Sequence, residues 1–308
     1  MIPINVSLSH YKRRDIQEEI LANSRDREVA ARFNESFGKR PDVLRHANDV
    51  LELAKQGVTS FHASEELWKN PLQLEPSLKR HELNGLRIGW DLILDIDCGF
   101  FEYSRIAADL VIKALKFHKV MSISCKFSGN KGFHIGVPFE AFPERLGNEE
   151  TKNLFPEMPR RIALYMREMI KMPLGEKIME WEKNNFDAIL EKTGKKAEDI
   201  TYSYNGAKML NAEPFLTIDT LLISSRHLYR MPYSLHEKSG LVSIPINPEK
   251  VQEFGKESAI AKNVAISKYR FLDRENAEKD EAKRLFVEAF DFHTKDDVQT
   301  SSSDRKEF

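Results

Sequence analysis

Two acidic residues separated by one position, Asp95 and Asp97, have the type and spacing that metal chemistry needs. They lie in the segment LILDID, whose apolar and β-branched content predicts a strand. Residues i and i+2 of a strand share a face, so both carboxylates would project from one side, with backbones about 6–7 Å apart. Carboxylate oxygens suit hard divalent cations. The alternative is a strand end that merely reaches solvent, but like charges ending a nearly all-apolar run are costly to hold close without a cation.

A second cluster is the turn SGNKG at residues 128–132. Ser128 offers a hydroxyl, Gly129 lets the backbone approach an anion, and Lys131 supplies a point charge suited to phosphate. The turn joins two predicted strands, MSISCKF and GFHIGVPF. His134 lies on the face of its strand opposite the apolar neighbours, so it would face the ligand of the turn. An ordinary hairpin with a glycine-rich turn is the alternative.

A third cluster begins at Asp219, which ends the strand-like segment PFLTID. Basic side chains follow it at Arg226, Arg230, His236 and Lys238. A carboxylate followed by closely spaced cations suits a metal-bound polyphosphate. A solvated loop is the alternative, although HLYRMPYSLH carries too many aromatic and apolar residues for free solvation. The three clusters together supply three carboxylates, a phosphate cradle and a basic clamp, which are the parts of a two-metal nucleotidyl-transfer site.

The elements that must position these residues are mixed in type. Apolar residues three and four apart predict helices across residues 10–58, the second starting at Pro41 and stopping at Gly57. From residue 89 the pattern changes to period two, and a helix, SRIAADLVIKALKFH, follows the first strand. Residues 157–198 predict a charged helical insertion, and further helices follow the third cluster. Helices and strands without strict βαβ alternation favour an α+β fold.

The composition excludes several classes of protein to which the chain could belong. The 308 residues are 41% hydrophobic and 31% charged, typical of a globular chain, and no apolar run approaches the length of a membrane span. With 47 Lys and Arg against 48 Asp and Glu, bulk charge does not suit coating of nucleic acid, although an enzyme needs only a locally basic groove. Two cysteines exclude a disulfide framework and a zinc site of several thiolates. A cytoplasmic location, nucleoid-associated in a prokaryote, is expected.

Three segments resemble the motifs of the archaeo-eukaryotic primase superfamily: LILDID, FSGNKGFHI, and Asp219 with the following HLYRMPYSLHEKSGLVSIPI. The closest similarity is to the catalytic small subunit of DNA primase, over roughly residues 87–247. It implies an α+β primase-polymerase core with a mixed or antiparallel sheet around the acids. The expected organisation is a mainly helical module over 1–86, a catalytic module over 87–298 with motifs at 92–97, 127–135 and 215–246, and a disordered tail over 299–308.

Position by position, the resemblance also implies roles for residues. Asp95, Asp97 and Asp219 would hold two Mg²⁺ or Mn²⁺ ions. His134 would either donate to a phosphate or support the acids, and both roles stay open. Replicative relatives usually carry a zinc-binding element after the first motif; here that stretch is CGFFEYSRIAADLVIKAL, with Cys98 as its sole thiol, so no zinc is expected. The residues expected around the nucleotide are Ser128, Gly129, Lys131, His134, Arg226, Arg230, His236 and Lys238.

The implied function is template-dependent nucleotidyl transfer that makes or extends short RNA or DNA primers on single-stranded DNA. Its partners would be the template, nucleoside triphosphates and, as in replicative relatives, a large subunit, with no membrane. One alternative is a two-metal nuclease, which would not need the cradle and the clamp. Another is a non-catalytic single-strand-binding subunit of a replication or repair complex, against which the presence of all three acids argues.

Overall fold

The computed structural model describes residues 2–218 and 223–292. Within these residues, α5 is a long amphipathic helix whose apolar face is buried, and α6 is longer still, with Pro173 in its interior. The α-helices are α1 (Ile4–Tyr11), α2 (Arg14–Asn23), α3 (Ala47–Lys55), α4 (Arg80–Leu86), α5 (Phe101–Phe117), α6 (Glu157–Trp181), α7 (Phe186–Thr193) and α8 (Lys283–Asp291).

The strands are short, and every pair formed in the described part of the chain is antiparallel. They are β1 (Val29–Phe33), β2 (Ser36–Phe37), β3 (Ser60–Ser64), β4 (Glu66–Trp68), β5 (Arg87–Trp90), β6 (Leu92–Cys98), β7 (Ser124–Phe127), β8 (Phe133–Val137), β9 (Arg145–Leu146), β10 (Glu149–Glu150), β11 (Thr201–Tyr204), β12 (Ala207–Leu210), β13 (Leu216–Ile218), β14 (Leu228–Arg230) and β15 (Pro245–Ile246).

A five-stranded sheet in the order β13-β6-β8-β7-β15 carries two of the predicted clusters. Helix α5 packs against β6 and β8, and α6 packs against α5 and β6. Side chains that alternate along β6 and β8, such as Leu94, Ile96, Phe133 and Ile135, are fully buried. One face of this sheet is therefore committed to the core, which leaves the other face for the polar residues of the same strands.

A second sheet, in the order β14-β3-β1-β2, combines strands that are far apart in the chain. Leu228 pairs with Ser64, and Arg230 pairs with His62. The strands β1 to β3 belong to the predicted N-terminal module, whereas β14 belongs to the third motif. This pairing brings the third motif against the N-terminal part of the chain.

The α+β class, the long helix after the first motif, the helical insertion and the hairpin of the second motif are confirmed. The prediction of helices throughout residues 10–58 is wrong in its middle. Residues Val29–Phe33 form β1, because pairing with β3 buries Val29 and Ala31 in the core. Helix α3 begins at Ala47 and not at Pro41, since Asp42 is extended and accepts a hydrogen bond from the amide of Val29.

Two further expectations concern the ends and the membrane. The predicted tail over 299–308 lies outside the described residues. Among the helices that are described, none is long and apolar enough to cross a bilayer.

Candidate active site

Strand β6 places Asp95 and Asp97 on the same face of the central sheet. Asp95 lies opposite His134 of β8, and Asp97 lies opposite Thr217 of β13. The Asp95 side chain is 43% exposed, and its Oδ1 atom is 3.5 Å from Nε2 of the buried His134. The shared face that the spacing predicted is confirmed, and both carboxylates reach the surface from a strand whose other side is core.

The turn of the second motif is held against β6 by glycines. The amide of Ser128 donates to the carbonyl of Gly132 at 3.0 Å, which closes the turn between β7 and β8. A Cβ atom at Gly132 would lie 2.2 Å from the carbonyl oxygen of Ile96, and one at Gly129, where φ is +103°, would lie 2.8 Å from Cβ of His236. The turn can therefore touch both the acidic strand and the third motif only because these positions lack side chains.

The third motif meets this turn through residues 236–239. The hydroxyl of Ser239 donates to the carbonyl of Gly129. The amide of Lys238 donates to Nδ1 of His236 at 3.3 Å, so the neutral ring carries its proton on Nε2. Burial, together with the nearby Arg230 cation, lowers the pKa of His236 to about 4. His236 is thus a neutral hydrogen-bond donor at physiological pH.

These elements enclose a cleft of about 290 Å³. It brings together most of the residues that the sequence analysis singled out, from all three clusters. The predicted residues that line it are Asp95, Asp97, Ser128, Lys131, His134, Arg230, His236 and Lys238. Carboxylates and cations that are distant in sequence thus share one small cavity, which suits a ligand that carries both metal and phosphate.

Buried basic groups lie beneath the cleft. Lys126 of β7 is next to His134 across the sheet and is fully buried, with its Nζ atom donating to Oγ of Ser243 at 3.0 Å. Burial lowers the pKa of Lys126 well below its usual range, and burial likewise lowers the pKa of His134. Burial disfavours the charged form of both groups. An anion in the cleft would favour their protonated forms.

Sequence reasoning missed the wall that the second sheet contributes. His62 and Glu65, in and just after β3, and His227, next to β14, also line the cleft. Nδ1 of His227 is 2.9 Å from Oε1 of Glu65, and burial lowers the pKa of His62 well below its usual value. No spacing pattern marks these residues. Only the pairing of β3 with β14, which follows from tertiary structure, brings them to the site.

Arg226 is not brought into the cleft. Its guanidinium donates to Glu28 at 2.7 and 3.0 Å, and its amide donates to Glu66. Glu28 is fully buried and also accepts from Arg40 at 2.9 Å, so these arginines neutralise a core carboxylate. The basic cluster that looked continuous in sequence is therefore divided between a structural ion pair and the cleft.

Asp219, the third predicted metal ligand, lies outside the described residues. The strand before it, β13, ends with Ile218 paired to Ile96 of the acidic strand. Within residues 2–218 and 223–292, no group of three or more His, Cys, Asp or Glu side chains is arranged to hold a metal ion. Asp95 and Asp97 nevertheless supply, side by side, the carboxylate oxygens that Mg²⁺ and Mn²⁺ take as ligands.

A family model described as DNA primase small subunit matches residues 100–248. Over this segment the chain is similar to the DNA primase small subunit. The matched segment contains the second and third motifs, while the first motif, at 92–97, precedes it. This match supports a primase-type, DNA-directed nucleotidyltransferase function at the general level.

The other comparisons are as follows. No curated protein matches this chain. Among solved structures, it is similar to the polymerase domain of Mycobacterium tuberculosis ligase D in complex with DNA, at 13% sequence identity and a TM-score of 0.47, with 91% of each chain covered.

Proposed function

We propose that this protein catalyses template-dependent nucleotidyl transfer on single-stranded DNA, making or extending short primers from nucleoside triphosphates. The observation that carries the proposal is the convergence of the acidic strand, the Ser128–Lys131 turn and the His236–Lys238 loop on one cleft. A triphosphate needs cations and N–H donors along its length and carboxylates next to its metal ions. This cleft offers both.

Asp95 and Asp97, with Asp219 as the predicted third ligand, would hold two Mg²⁺ or Mn²⁺ ions. When bound, such a pair of ions activates the attacking 3′-hydroxyl and stabilises the charge of the leaving pyrophosphate. The chain's contribution is to hold both carboxylates on one rigid strand, because preorganised ligands need no rearrangement during the reaction.

The remaining residues would orient the triphosphate. Lys131 and Lys238 are exposed and would supply cations at the rim, whereas His236 would offer Nε2–H from a ring held by the amide of Lys238. Ser128 adds a hydroxyl from the turn. His134 is buried with its Nε2 atom 3.5 Å from Oδ1 of Asp95, and we assign it the support of that carboxylate.

The test is nucleotide incorporation on a primed single-stranded template. Asp95→Asn and Asp97→Asn are expected to abolish incorporation while leaving thermal unfolding close to that of the unmodified protein, because both side chains are at the surface of the cleft. Asp109→Asn is the matched control: this acid, on α5, forms a surface pair with Lys113 and lies outside the cleft. Full activity in both cleft variants would remove the metal assignment.

Two companion measurements separate the alternatives. Incubation with template and metal but no nucleotide would degrade the template if the cleft belongs to a nuclease. Metal-dependent binding of a nucleoside triphosphate by calorimetry, without any incorporation, would indicate a non-catalytic subunit. We expect binding together with incorporation, and no degradation.

A further inference from the structure

Arg230, predicted to clamp phosphate, is already engaged by the protein. Its Nη2 atom donates to Oε2 of Glu237 at 2.8 Å, and its Nη1 atom donates to the carbonyl of Leu235. The two side chains of the ion pair are only 9% and 10% exposed. The guanidinium therefore meets a carboxylate and a carbonyl on the protein side of the cleft.

Glu237 joins this pair to the second sheet. Its Oε1 atom accepts a hydrogen bond from the hydroxyl of Ser60 of β3, and it lies 3.8 Å from Nε of Arg32 of β1. The carboxylate thus connects three strands, β1, β3 and β14, with the loop that follows β14. The surrounding cations hold the pKa of Glu237 below its usual value despite its burial.

Successive hydrogen bonds hold the loop before Glu237 against the N-terminal part of the chain. The amide of Met231 donates to the carbonyl of Phe61 at 3.0 Å, and Oγ of Ser234 accepts from the amide of Phe61 at 2.8 Å. The amide of Leu235 then donates to the hydroxyl of Tyr11 at 3.0 Å. Glu237 is the next anchor along the chain. Its neighbours on either side are His236 and Lys238, both of which line the cleft.

We propose that Arg230 and Glu237 form a fixed pair that positions His236 and Lys238 for the triphosphate, so that Arg230 is a positioning residue and not a phosphate ligand. This inference rests on the proposed function, since it assumes a triphosphate in the cleft. If Arg230 turned to a phosphate instead, Glu237 would remain buried beside a polyanion, with only the more distant Arg32, at 3.8 Å, as a cation partner. A buried carboxylate that loses its partner is strongly unfavourable, and the approaching phosphates would repel it.

The experiment is a double-mutant cycle on the full chain, with nucleotide affinity measured by calorimetry in the presence of metal and KM and kcat measured separately. Glu237→Gln and Arg230→Gln are each expected to weaken nucleotide binding about 10-fold. The double variant is expected to bind nucleotide no more weakly than the single variant with the lower affinity, because both residues act through one pair. The kcat at saturating nucleotide is expected to stay within about threefold, since the acids are untouched.

Unchanged or tighter nucleotide binding by Glu237→Gln would overturn the proposal. If Arg230 is a phosphate ligand restrained by Glu237, then Glu237→Gln releases it and nucleotide binding is unchanged or tighter, while Arg230→Gln alone weakens binding. Glu28→Gln is the matched control, because Glu28, just before β1, is also a buried carboxylate paired with arginines but lies outside the cleft. It is expected to lower stability without changing KM, so a merely structural effect is recognised.

A second variant covers the case in which Glu237→Gln does not fold. Ser60→Ala removes one of the hydrogen bonds that orient Glu237 and keeps the ion pair, and a rise in KM of about threefold is expected. An unchanged KM in that variant would overturn the proposal. If the unmodified protein shows no metal-dependent nucleotide binding, the proposed function itself is overturned, and with it this inference. Normal binding with no effect of the pair variants would overturn only this inference.

Discussion

At the scale of single residues, the second motif depends on the absence of side chains. Gly132 passes the backbone carbonyl of Ile96 so closely that a Cβ atom would lie 2.2 Å from its oxygen. That carbonyl belongs to the residue between Asp95 and Asp97. The contact sets the distance between the turn that we propose to bind phosphate and the two acids, so any bulk at this glycine acts directly on the geometry of the cleft.

Gly132→Ala is therefore expected to lower the free energy of unfolding by about 1–3 kcal/mol, as overpacked positions do, and to raise KM for the nucleotide. Urea denaturation and steady-state kinetics measure the two effects. Gly85→Ala is the control and is expected to have the opposite effect. Gly85 is exposed in α4 with open space around it, so alanine there is expected to raise the free energy of unfolding by about 0.5–1 kcal/mol. Equal stabilities of the two variants would contradict the packing argument.

The sequence was sufficient to predict site residues whose role follows from local pattern, but not those that only the tertiary structure brings to the cleft. Asp95 and Asp97 could be placed on one face because a strand alternates with period two. His62 carried no comparable signal, since its position in the cleft depends on β3 pairing with β14. Arg226 was included for its charge and proximity in sequence, but the buried Glu28 engages it. Sequence distance does not reveal which carboxylate neutralises which arginine.

At the scale of elements, α5, α6 and the β7–β8 hairpin could be predicted, because their apolar periodicity agrees with their environment. The hairpin β1–β2 could not. Its segment EVAARF carries residues acceptable to a helix, and the preference was reversed by burial of Val29 and Ala31 against β3. Short strands next to amphipathic helices are decided by such tertiary pairing, which local propensity does not contain.

Helix α1 is joined to the third motif through a buried histidine, which makes this junction sensitive to pH. Nε2 of His10 lies 2.8 Å from the carbonyl of Tyr233 and donates to it, and burial lowers the pKa of His10 to about 4. A second proton would have to enter at Nδ1, which has no partner in the described part of the chain. The unfolded state, with a pKa near 6.5, therefore binds more protons below neutrality than the folded state does.

Stability is accordingly expected to rise with pH. Between pH 7.5 and pH 5 the contribution of His10 should fall by about 2 kcal/mol, because the unfolded chain takes up the proton first. Urea denaturation across this range, compared with His10→Gln, measures the effect as a shallower pH dependence in the variant. His81→Gln, which changes an exposed histidine, is expected to leave the pH dependence unchanged. Parallel curves for His10→Gln and the unmodified protein would contradict the assignment.

At the scale of the whole molecule, the predicted boundary at residue 86 crosses a continuous set of buried contacts. Arg27 forms a buried ion pair with Asp91, and Arg87 donates to Glu66 at 2.6 Å with both side chains almost fully buried. The pairing of β3 with β14 crosses the same boundary. Each of these contacts would leave a buried polar or charged group without its partner if the two parts separated.

Residues 87–308 produced alone are therefore expected to show no cooperative thermal unfolding and to bind no nucleotide, because the third motif would lose the strand and the hydroxyl of Tyr11 that hold it. Co-production with residues 1–86 should restore both properties, since the missing surface is supplied in trans. Circular dichroism during heating and calorimetric titration with a nucleoside triphosphate and metal make the comparison. Cooperative unfolding with normal nucleotide binding in the shorter chain would instead support two independent modules, with the cleft built by the second alone.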